Sequence, residues 1–272
     1  MSVDISPLFS QFDRANERLT VMAGPCVVES QTQLETVAKE LTAIAERLPI
    51  DFIFKASYRK ANRTGASSFT GIGDEEALIL LAGIKADYGL PIVTDIHDPL
   101  EAATAAEVCD VLQIPAFLAR QTALLQAAGK TGKIINIKKG QFMAPQDMQH
   151  ARQKVVDSGN GQVLLCERGT FFGYGDLVVD MRSLEVMRQF GPVVFDATHS
   201  VQRPSQQGVS GGDRQFIPGL MRAAVAAGVD GLFIETHPDP ENAKSDKATQ
   251  WPLDQLEELL SQAVSIREAL AR

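Results

Sequence analysis

The chain has 272 residues and a formal net charge of −8, with 44% apolar and 22% charged residues. These proportions are typical of a soluble globular enzyme and argue against a disordered or fibrous protein. The acidic balance argues against a nucleic-acid partner, and the absence of a membrane-length apolar run argues against a membrane partner. Three cysteines, an odd number, favour unpaired thiols in a reducing compartment, so we expect a cytoplasmic protein.

Apolar runs alternate with helical patterns along the chain. The residues ahead of position 19 are interpreted only as an N-terminal extension. Strands are predicted at 19–23, 52–55, 91–95, 111–114, 134–138, 162–166, 192–196 and 231–235. Helices are predicted at 30–48, 75–88, 99–108, 117–128, 145–156, 180–190, 216–227 and 252–271, and Ser30 is predicted to cap the first of them.

This alternation predicts an α/β protein with a parallel sheet, and eight units are the number that closes a barrel. We therefore predict a (β/α)8 TIM barrel with a short N-terminal extension, as one domain over residues 1–272. An open doubly wound sheet is the alternative, and no Gly-rich dinucleotide fingerprint follows the first strand to favour it. The Gly-containing loop 201–214 is expected to be mobile.

Reactive side chains collect at the predicted carboxyl ends of the strands, where barrel enzymes hold their active sites. One lysine at a strand end is more often solvated than bound to a ligand. Several cations on one concave rim repel each other unless an anion neutralises them, which predicts a phosphate or carboxylate site. The cations in question are Lys55, Lys60, Arg63, Lys138 and Arg168.

A metal site is predicted on the same rim. Cys26 alone would be a small buried residue, and His199 alone could be structural. Together with Glu235 they end strands one, seven and eight, which are neighbours in a closed barrel, and Asp246 in the following loop can supply a fourth ligand. One thiolate, one imidazole and two carboxylates suit a borderline divalent ion such as Zn²⁺, Fe²⁺ or Mn²⁺, and the residues do not choose among these.

Eight motifs, in order from residue 20 to the C-terminus, together carry a resemblance to a known family. They are AGPC, KASYRKANRTG, TDIHDP, LQIPAFLARQT, INIKKGQF, LCERGTFFGYG, FDATHSVQ and LFIETHPDPENAKSD. The chain thereby resembles the 3-deoxy-D-manno-octulosonate 8-phosphate synthases. The resemblance implies a barrel fold and the condensation of phosphoenolpyruvate with D-arabinose 5-phosphate, in lipopolysaccharide biosynthesis, by a homotetramer.

The resemblance also implies roles for individual residues. The phosphoenolpyruvate site would comprise Lys60, Lys138 and Arg168, with Lys55 and Gln113 nearby. The arabinose 5-phosphate site would comprise Asn62, Arg63 and Thr64, with Arg120 from a neighbouring subunit, and Asp95 is a further expected substrate-binding residue. The expected catalytic residues are Lys60, Asn62, Lys138 and His199.

The position of Cys26 separates two branches of this family. One branch has cysteine there and needs a divalent metal, whereas the other has asparagine and does not. The cysteine of this chain therefore implies the metal-dependent branch, with Zn, Fe, Mn or Co held by Cys26, His199, Glu235 and Asp246.

Three alternative functions remain open. A related synthase joins phosphoenolpyruvate to erythrose 4-phosphate for aromatic amino acids, but its loop typically has Lys-Pro-Arg-Thr where this chain has Lys60-Ala61-Asn62-Arg63-Thr64. A Schiff-base aldolase could use Lys138 or Lys55 as its nucleophile. A non-catalytic sugar-phosphate sensor would not need a complete set of metal ligands.

Overall fold

The computed structural model of the chain describes residues 6–13, 15–62, 68–206 and 209–271. Parallel strands form a closed sheet in which each pairs with the next and the last pairs with the first. They are β1 Leu19–Gly24, β2 Ile50–Lys55, β3 Ile92–Asp95, β4 Val111–Ile114, β5 Ile134–Lys138, β6 Val163–Glu167, β7 Val193–Asp196 and β8 Gly231–His237. The predicted (β/α)8 barrel is confirmed.

A helix follows each strand. The helices are α1 Gln31–Arg47, α2 Asp74–Tyr88, α3 Glu101–Val108, α4 Thr122–Lys130, α5 Met148–Val156, α6 Arg182–Arg188, α7 Ile217–Ala226 and α8 Leu256–Leu270. Ser30 caps α1 as predicted, because its side chain accepts the N–H of Gln33. Within the described residues, no helix has the length and apolar character needed to cross a bilayer.

Some predicted helices begin too early. Residues 117–121 are not part of α4, because the chain first makes a 3-10 turn at Ala116–Leu118. Similar turns at Pro145–Asp147 and Leu253–Gln255 precede α5 and α8. Hydrophobic periodicity does not separate such a turn from the first turn of an α-helix, since both bury one side.

Two apolar layers hold the fold together. The larger layer lies between the outer face of the barrel and the surrounding helices. The smaller layer fills the barrel interior with side chains from every strand, which are Met22, Ile53, Val93, Val111, Ile134, Leu164, Cys166, Val194 and Phe233. This filled interior makes the barrel a rigid support for the residues at its rim.

The N-terminal extension closes the barrel at the end opposite the predicted site. Phe12, which follows the short helix Ser6–Ser10, is only 2% exposed and packs into the interior layer. A Cβ atom built on Gly231 would lie 3.0 Å from the Phe12 ring, so this position leaves no room for a side chain. The extension is therefore part of the core, which the sequence interpretation missed.

Two antiparallel hairpins lie in loops at the carboxyl ends of the barrel strands. Thr170–Phe172 pairs with Asp176–Val178 after β6, and Gln202–Gln206 pairs with Val209–Gly212 after β7. The second hairpin lies in the loop that was expected to be mobile, so this loop contains regular secondary structure.

Candidate active site

A cavity of about 380 Å³ opens at the carboxyl ends of the barrel strands. Three buried cationic side chains line it, Lys60, Lys138 and Arg168, and so do Asp95 and Gln113. Each comes from the end of a different strand or from the loop after it, which is why residues distant in sequence meet here.

The loop after β2 places Lys60 next to a series of hydrogen bonds that connects Ser57 with Asp95 on β3 and Gln113 on β4. The Lys60 ammonium donates to Ser57 Oγ at 2.9 Å, and Ser57 donates to Asp95 at 2.5 Å. Gln113 donates to the other oxygen of Asp95. Burial favours the neutral amine, but the anionic groups around it, Asp95 among them, raise the pKa of Lys60 above its ordinary value.

Lys138, at the end of β5, forms a buried ion pair with Asp196 at the end of β7. Its ammonium also lies 3.5 Å from the centroid of the Phe233 ring, a cation–π contact from the floor of the cavity. Burial would raise the pKa of Asp196, but His199 and Lys138 outweigh it and hold that pKa well below its ordinary range. The Lys138 ammonium is thus held in place by an ionised carboxylate where it lines the cavity.

Arg168 differs from the two lysines in how much of its hydrogen-bonding capacity is free. Its side chain is buried, and one terminal nitrogen donates to Gln202 at 2.8 Å. The other terminal nitrogen, Nη1, has no hydrogen-bond partner among the described residues. A buried guanidinium with an unused donor is suited to an anionic ligand entering the cavity.

The four predicted metal ligands converge at one edge of this cavity. Cys26 Sγ lies 3.4 Å from Asp246 Oδ2, and His199 Nε2 lies 3.7 Å from the same oxygen and 3.8 Å from Glu235 Oε1. A tetrahedral ion with bonds near 2.0–2.3 Å separates its ligand atoms by about 3.3–3.8 Å. These three separations fall close to that range. The tightest group is Cys26, Glu235 and Asp246, whose ligand atoms all lie within 4.8 Å of one another, and His199 lies beside it.

Two further observations fit a cation at this position. Glu235 is fully buried, and its Oε2 atom has no hydrogen-bond partner among the described residues. His199 directs Nδ1 at Asp196 over 2.9 Å, which leaves Nε2 to face the other ligands, as in carboxylate–histidine–metal arrangements. The donor set of sulfur, nitrogen and oxygen suits Zn²⁺ or a neighbouring first-row ion.

Burial and the neighbouring carboxylate of Glu235 raise the pKa of the Cys26 thiol well above its ordinary range. Burial would also raise the pKa of Glu235, but the Lys55 ammonium and His199 outweigh this effect and lower that pKa. A bound cation would favour the thiolate directly, since coordinating thiols lose their proton.

The loop after β8 holds Asp246 in an unusual conformation, with a φ of +43°. Its carbonyl accepts the backbone N–H groups of Thr249 and Gln250 at 3.0 and 3.1 Å. The Gln250 side chain accepts the backbone N–H of Cys26 at 3.0 Å and donates to the Ser245 carbonyl at 2.8 Å. Gln250 thereby links the β1 and β8 loops, whose side chains form the ligand cluster.

Some predicted residues lie apart from the cavity. Lys55 is 1% exposed, and its ammonium is engaged by Glu235 and by the carbonyl of Cys26 at 2.8 Å. Arg120 is exposed after β4, with its carbonyl bound by Lys154. Arg63 and Thr64 lie outside the described residues, so their predicted sugar contacts stay predictions. Asn62 lines the cavity.

The sequence interpretation missed three contributors. Asp196 was noted only as part of a strand-end motif, although its place three residues before His199 could have suggested a partner for that histidine. Ser57 and Gln250 carried no signal, since isolated serine and glutamine residues are common in loops. Their importance comes from hydrogen bonds between segments far apart in sequence.

The chain was compared with known proteins. A family model described as the DAHP synthetase I family matches residues 12–272. A 2-dehydro-3-deoxyphosphooctonate aldolase of Koribacter versatilis is 54% identical over 257 residues, which is 93% of this chain and 92% of the relative. Proteins of the same name from Acidithiobacillus ferrooxidans and Granulibacter bethesdensis are each 56% identical over 242 residues, covering 88% of this chain and 86% of theirs.

Proposed function

The chain belongs to the DAHP synthetase I family, and we propose that it condenses phosphoenolpyruvate with D-arabinose 5-phosphate and water. The products are 3-deoxy-D-manno-octulosonate 8-phosphate and inorganic phosphate, in lipopolysaccharide biosynthesis. The name of relatives that are 54–56% identical supports the eight-carbon product rather than the product of the erythrose 4-phosphate enzyme.

One observation carries this proposal. A single cavity contains three buried cationic side chains, Lys60, Lys138 and Arg168, next to the converged cluster of candidate metal ligands. Phosphoenolpyruvate brings a carboxylate and a phosphate, and the sugar brings a second phosphate. Two strongly anionic substrates need such a concentration of positive charge to occupy neighbouring positions.

The chemistry uses the side chains as electrostatic and positioning groups. The C2–C3 π electrons of phosphoenolpyruvate form the new bond to the aldehyde carbon, and positive charge develops at C2. Water adds to C2 and a proton passes to the aldehyde oxygen, after which the C2–O bond of the tetrahedral adduct breaks and phosphate leaves. Lys60, Lys138 and Arg168 would hold the enol phosphate, while Asn62 would orient the partner substrate beside it.

Cys26, His199, Glu235 and Asp246 would hold a divalent ion of zinc, iron, manganese or cobalt. When bound, such an ion supplies a Lewis acid beside the reacting carbonyl or water. Asp196 keeps the His199 ring oriented, and Lys55 stabilises the Glu235 carboxylate from below. These contacts orient the candidate ligand side chains.

Phosphate release from phosphoenolpyruvate tests the proposal. We expect release with arabinose 5-phosphate and little with erythrose 4-phosphate, measured with metal-reconstituted protein. Activity with the four-carbon sugar alone would assign the chain to aromatic amino-acid biosynthesis. No release with either sugar would favour a non-catalytic sensor.

The Schiff-base alternative has less support. Both of its candidate nucleophiles, Lys55 and Lys138, form ion pairs with the buried carboxylates of Glu235 and Asp196. A reactive amine must be free to attack a carbonyl, whereas both of these amines are bound to carboxylates. Trapping of a covalent pyruvyl adduct with borohydride would revive this alternative.

The proposal includes a cytoplasmic homotetramer. The three cysteines are buried and unpaired, which suits a reducing compartment. Exposed aromatic side chains lie in the loops that follow β4, β5 and β6, and an apolar surface of this kind favours contact with another subunit. These side chains are Phe117, Phe142, Phe171, Phe172 and Tyr174. Sedimentation equilibrium of the purified chain tests the assembly.

A further inference from the structure

A further buried ion pair lies beside the cavity without lining it. Lys139 and Glu167 are 0% and 1% exposed, and the Lys139 ammonium is 3.5 Å from the Glu167 carboxylate. Lys139 directly follows Lys138, and Glu167 directly precedes Arg168. The pair therefore lies behind two of the cations proposed to hold phosphoenolpyruvate.

Glu167 binds the backbone of the turn that carries Arg168. Its Oε1 atom accepts the N–H of Arg168 at 3.0 Å and the N–H of Gly169 at 2.6 Å. Its Oε2 atom accepts the hydroxyl of Ser183, on α6, at 2.7 Å. One carboxylate thus fixes two successive peptide groups relative to the neighbouring helix.

Lys139 binds the other side of the same turn. Its ammonium donates to the Gly169 carbonyl at 3.3 Å and to the Thr170 hydroxyl at 2.9 Å. Gly169 has a φ of +92°, a conformation that only glycine adopts readily, so the chain reverses sharply here. The ion pair encloses this reversal and leaves the Arg168 backbone little freedom.

Burial of this pair carries an energetic penalty, because both charges lose their hydration. Burial also lowers the pKa of Lys139, although Glu167 opposes the change. Apolar residues of similar size would often stabilise a fold as well as such a pair does. The pair differs from an apolar substitute in one respect, which is the directed hydrogen bonds to residues 168–170.

We propose that Lys139 and Glu167 are positioning residues that direct the Arg168 guanidinium toward the anion of phosphoenolpyruvate. The inference rests on the proposed function of Arg168. To form a strong hydrogen bond, the unused Nη1 donor of Arg168 must lie within a few tenths of an ångström of its ideal position relative to an oxygen of the ligand. The backbone of Arg168, which the pair holds, sets the direction of this side chain.

Steady-state kinetics of the full-length, metal-loaded protein tests the inference. Lys139→Met is expected to raise the KM for phosphoenolpyruvate by about tenfold or more, with the KM for arabinose 5-phosphate within about twofold of wild type. The double variant Lys139→Met/Glu167→Gln should be less impaired than Lys139→Met, because the amide keeps the backbone contacts and no uncompensated charge stays buried. Glu167→Gln alone repeats the test if Lys139→Met does not fold.

Asp230→Asn is the control, because Asp230 forms a partly buried ion pair with Arg188 far from the cavity. It should lower the melting temperature and leave the KM for phosphoenolpyruvate unchanged. If the Lys139 and Glu167 variants behave like this control, or raise both KM values equally, the pair is structural only. If Arg168→Ala raises the KM for phosphoenolpyruvate and Lys139→Met does not, this inference alone fails. If the wild-type protein releases no phosphate, the proposed function fails.

Discussion

Asp196 Oδ2 lies 2.9 Å from Nδ1 of His199, and the same carboxylate forms an ion pair with Lys138. One side chain therefore orients a candidate metal ligand and a candidate phosphoenolpyruvate ligand together. The metal cluster and the anion site, which the sequence interpretation treated separately, share this residue.

Replacing Asp196 with Asn should weaken metal binding. The amide keeps the shape but removes the charge that favours the Nδ1-protonated ring, and loss of such a partner typically weakens affinity about 10- to 100-fold. Competition with a chromogenic chelator measures the dissociation constant directly. Asp87→Asn, on the exposed face of α2, is the control. Equal affinities in the two variants would show that Asp196 does not orient the ligand.

Removal of metal should abolish turnover. Chelated protein is expected to lose activity and to regain it with Mn²⁺, Co²⁺ or Zn²⁺, because the converged ligands form one site with Cys26 at its buried side. In the Cys26→Ala variant the same additions should restore far less activity. Full activity of protein shown by elemental analysis to be metal-free would contradict this expectation.

Arg120→Ala should raise the KM for arabinose 5-phosphate far more than that for phosphoenolpyruvate. A charge-assisted hydrogen bond to phosphate contributes about 1.5–3 kcal/mol, or roughly 10- to 100-fold in binding. Arg120 is exposed and does not line the cavity of its own chain, so we propose that this contact forms across a subunit interface. Lys130→Ala, at the end of α4, is the control. Parallel changes in both KM values would assign Arg120 another role.

Glu101 should contribute acid-sensitive stability. It accepts the hydroxyl of Tyr58 at 2.6 Å and the backbone N–H of His97 at 2.7 Å. Burial would raise the pKa of Glu101, but the hydrogen bonds from His97 and Tyr58 outweigh it and lower the pKa from 4.5 to about 2. Because the folded-state pKa is lowered, the contribution is complete above pH 4.5 and disappears as the pH falls toward 2.

Denaturant unfolding of wild type and Glu101→Gln at several pH values measures this contribution. Wild type should be more stable by about 1–2 kcal/mol at pH 7, with the difference shrinking between pH 4.5 and 2. A difference that does not change with pH would mean that the variant loses packing and not a charge interaction.

Gly231→Ala should destabilise the barrel by about 1–3 kcal/mol, because the new methyl group would overpack the contact with Phe12. Gly83→Ala, in α2, meets no neighbouring atom and should instead stabilise by about 0.5–1 kcal/mol. Adding Phe12→Leu to Gly231→Ala should recover part of the loss. Equal unfolding free energies for the two glycine variants would show that the Phe12 contact tolerates a side chain.

The sequence was sufficient to predict the features that follow a repeating hydrophobic pattern. Apolar runs of strand length, separated by helical periodicity, predicted the order of the barrel strands, and barrel topology then indicated that Cys26, His199 and Glu235 lie at one rim. Ligand atoms of Cys26, Glu235 and Asp246 do lie within 4.8 Å of one another, and His199 Nε2 lies 3.8 Å from Glu235 and 3.7 Å from Asp246. Short-range pattern and fold geometry were enough to predict this convergence.

Features that depend on single long-range contacts were not predictable. Phe12 is one of several apolar residues in the extension, and the space above Gly231 is what places it in the core. Lys55 carries the same charge as Lys60, yet its ammonium is drawn beneath the rim by Glu235. Sequence patterns do not encode which of two nearby lysines lines the cavity.

The contact between Phe12 and Gly231 also limits how early during synthesis the barrel can close. During synthesis Phe12 leaves the ribosome long before β8, so the interior of the barrel stays open at that end until nearly the whole chain has emerged. Contacts between residues so distant in sequence form late, after the local strand–helix units. A nascent chain stalled before β8 would therefore expose the Phe12 ring and the β1 edge, the features that a chaperone would recognise.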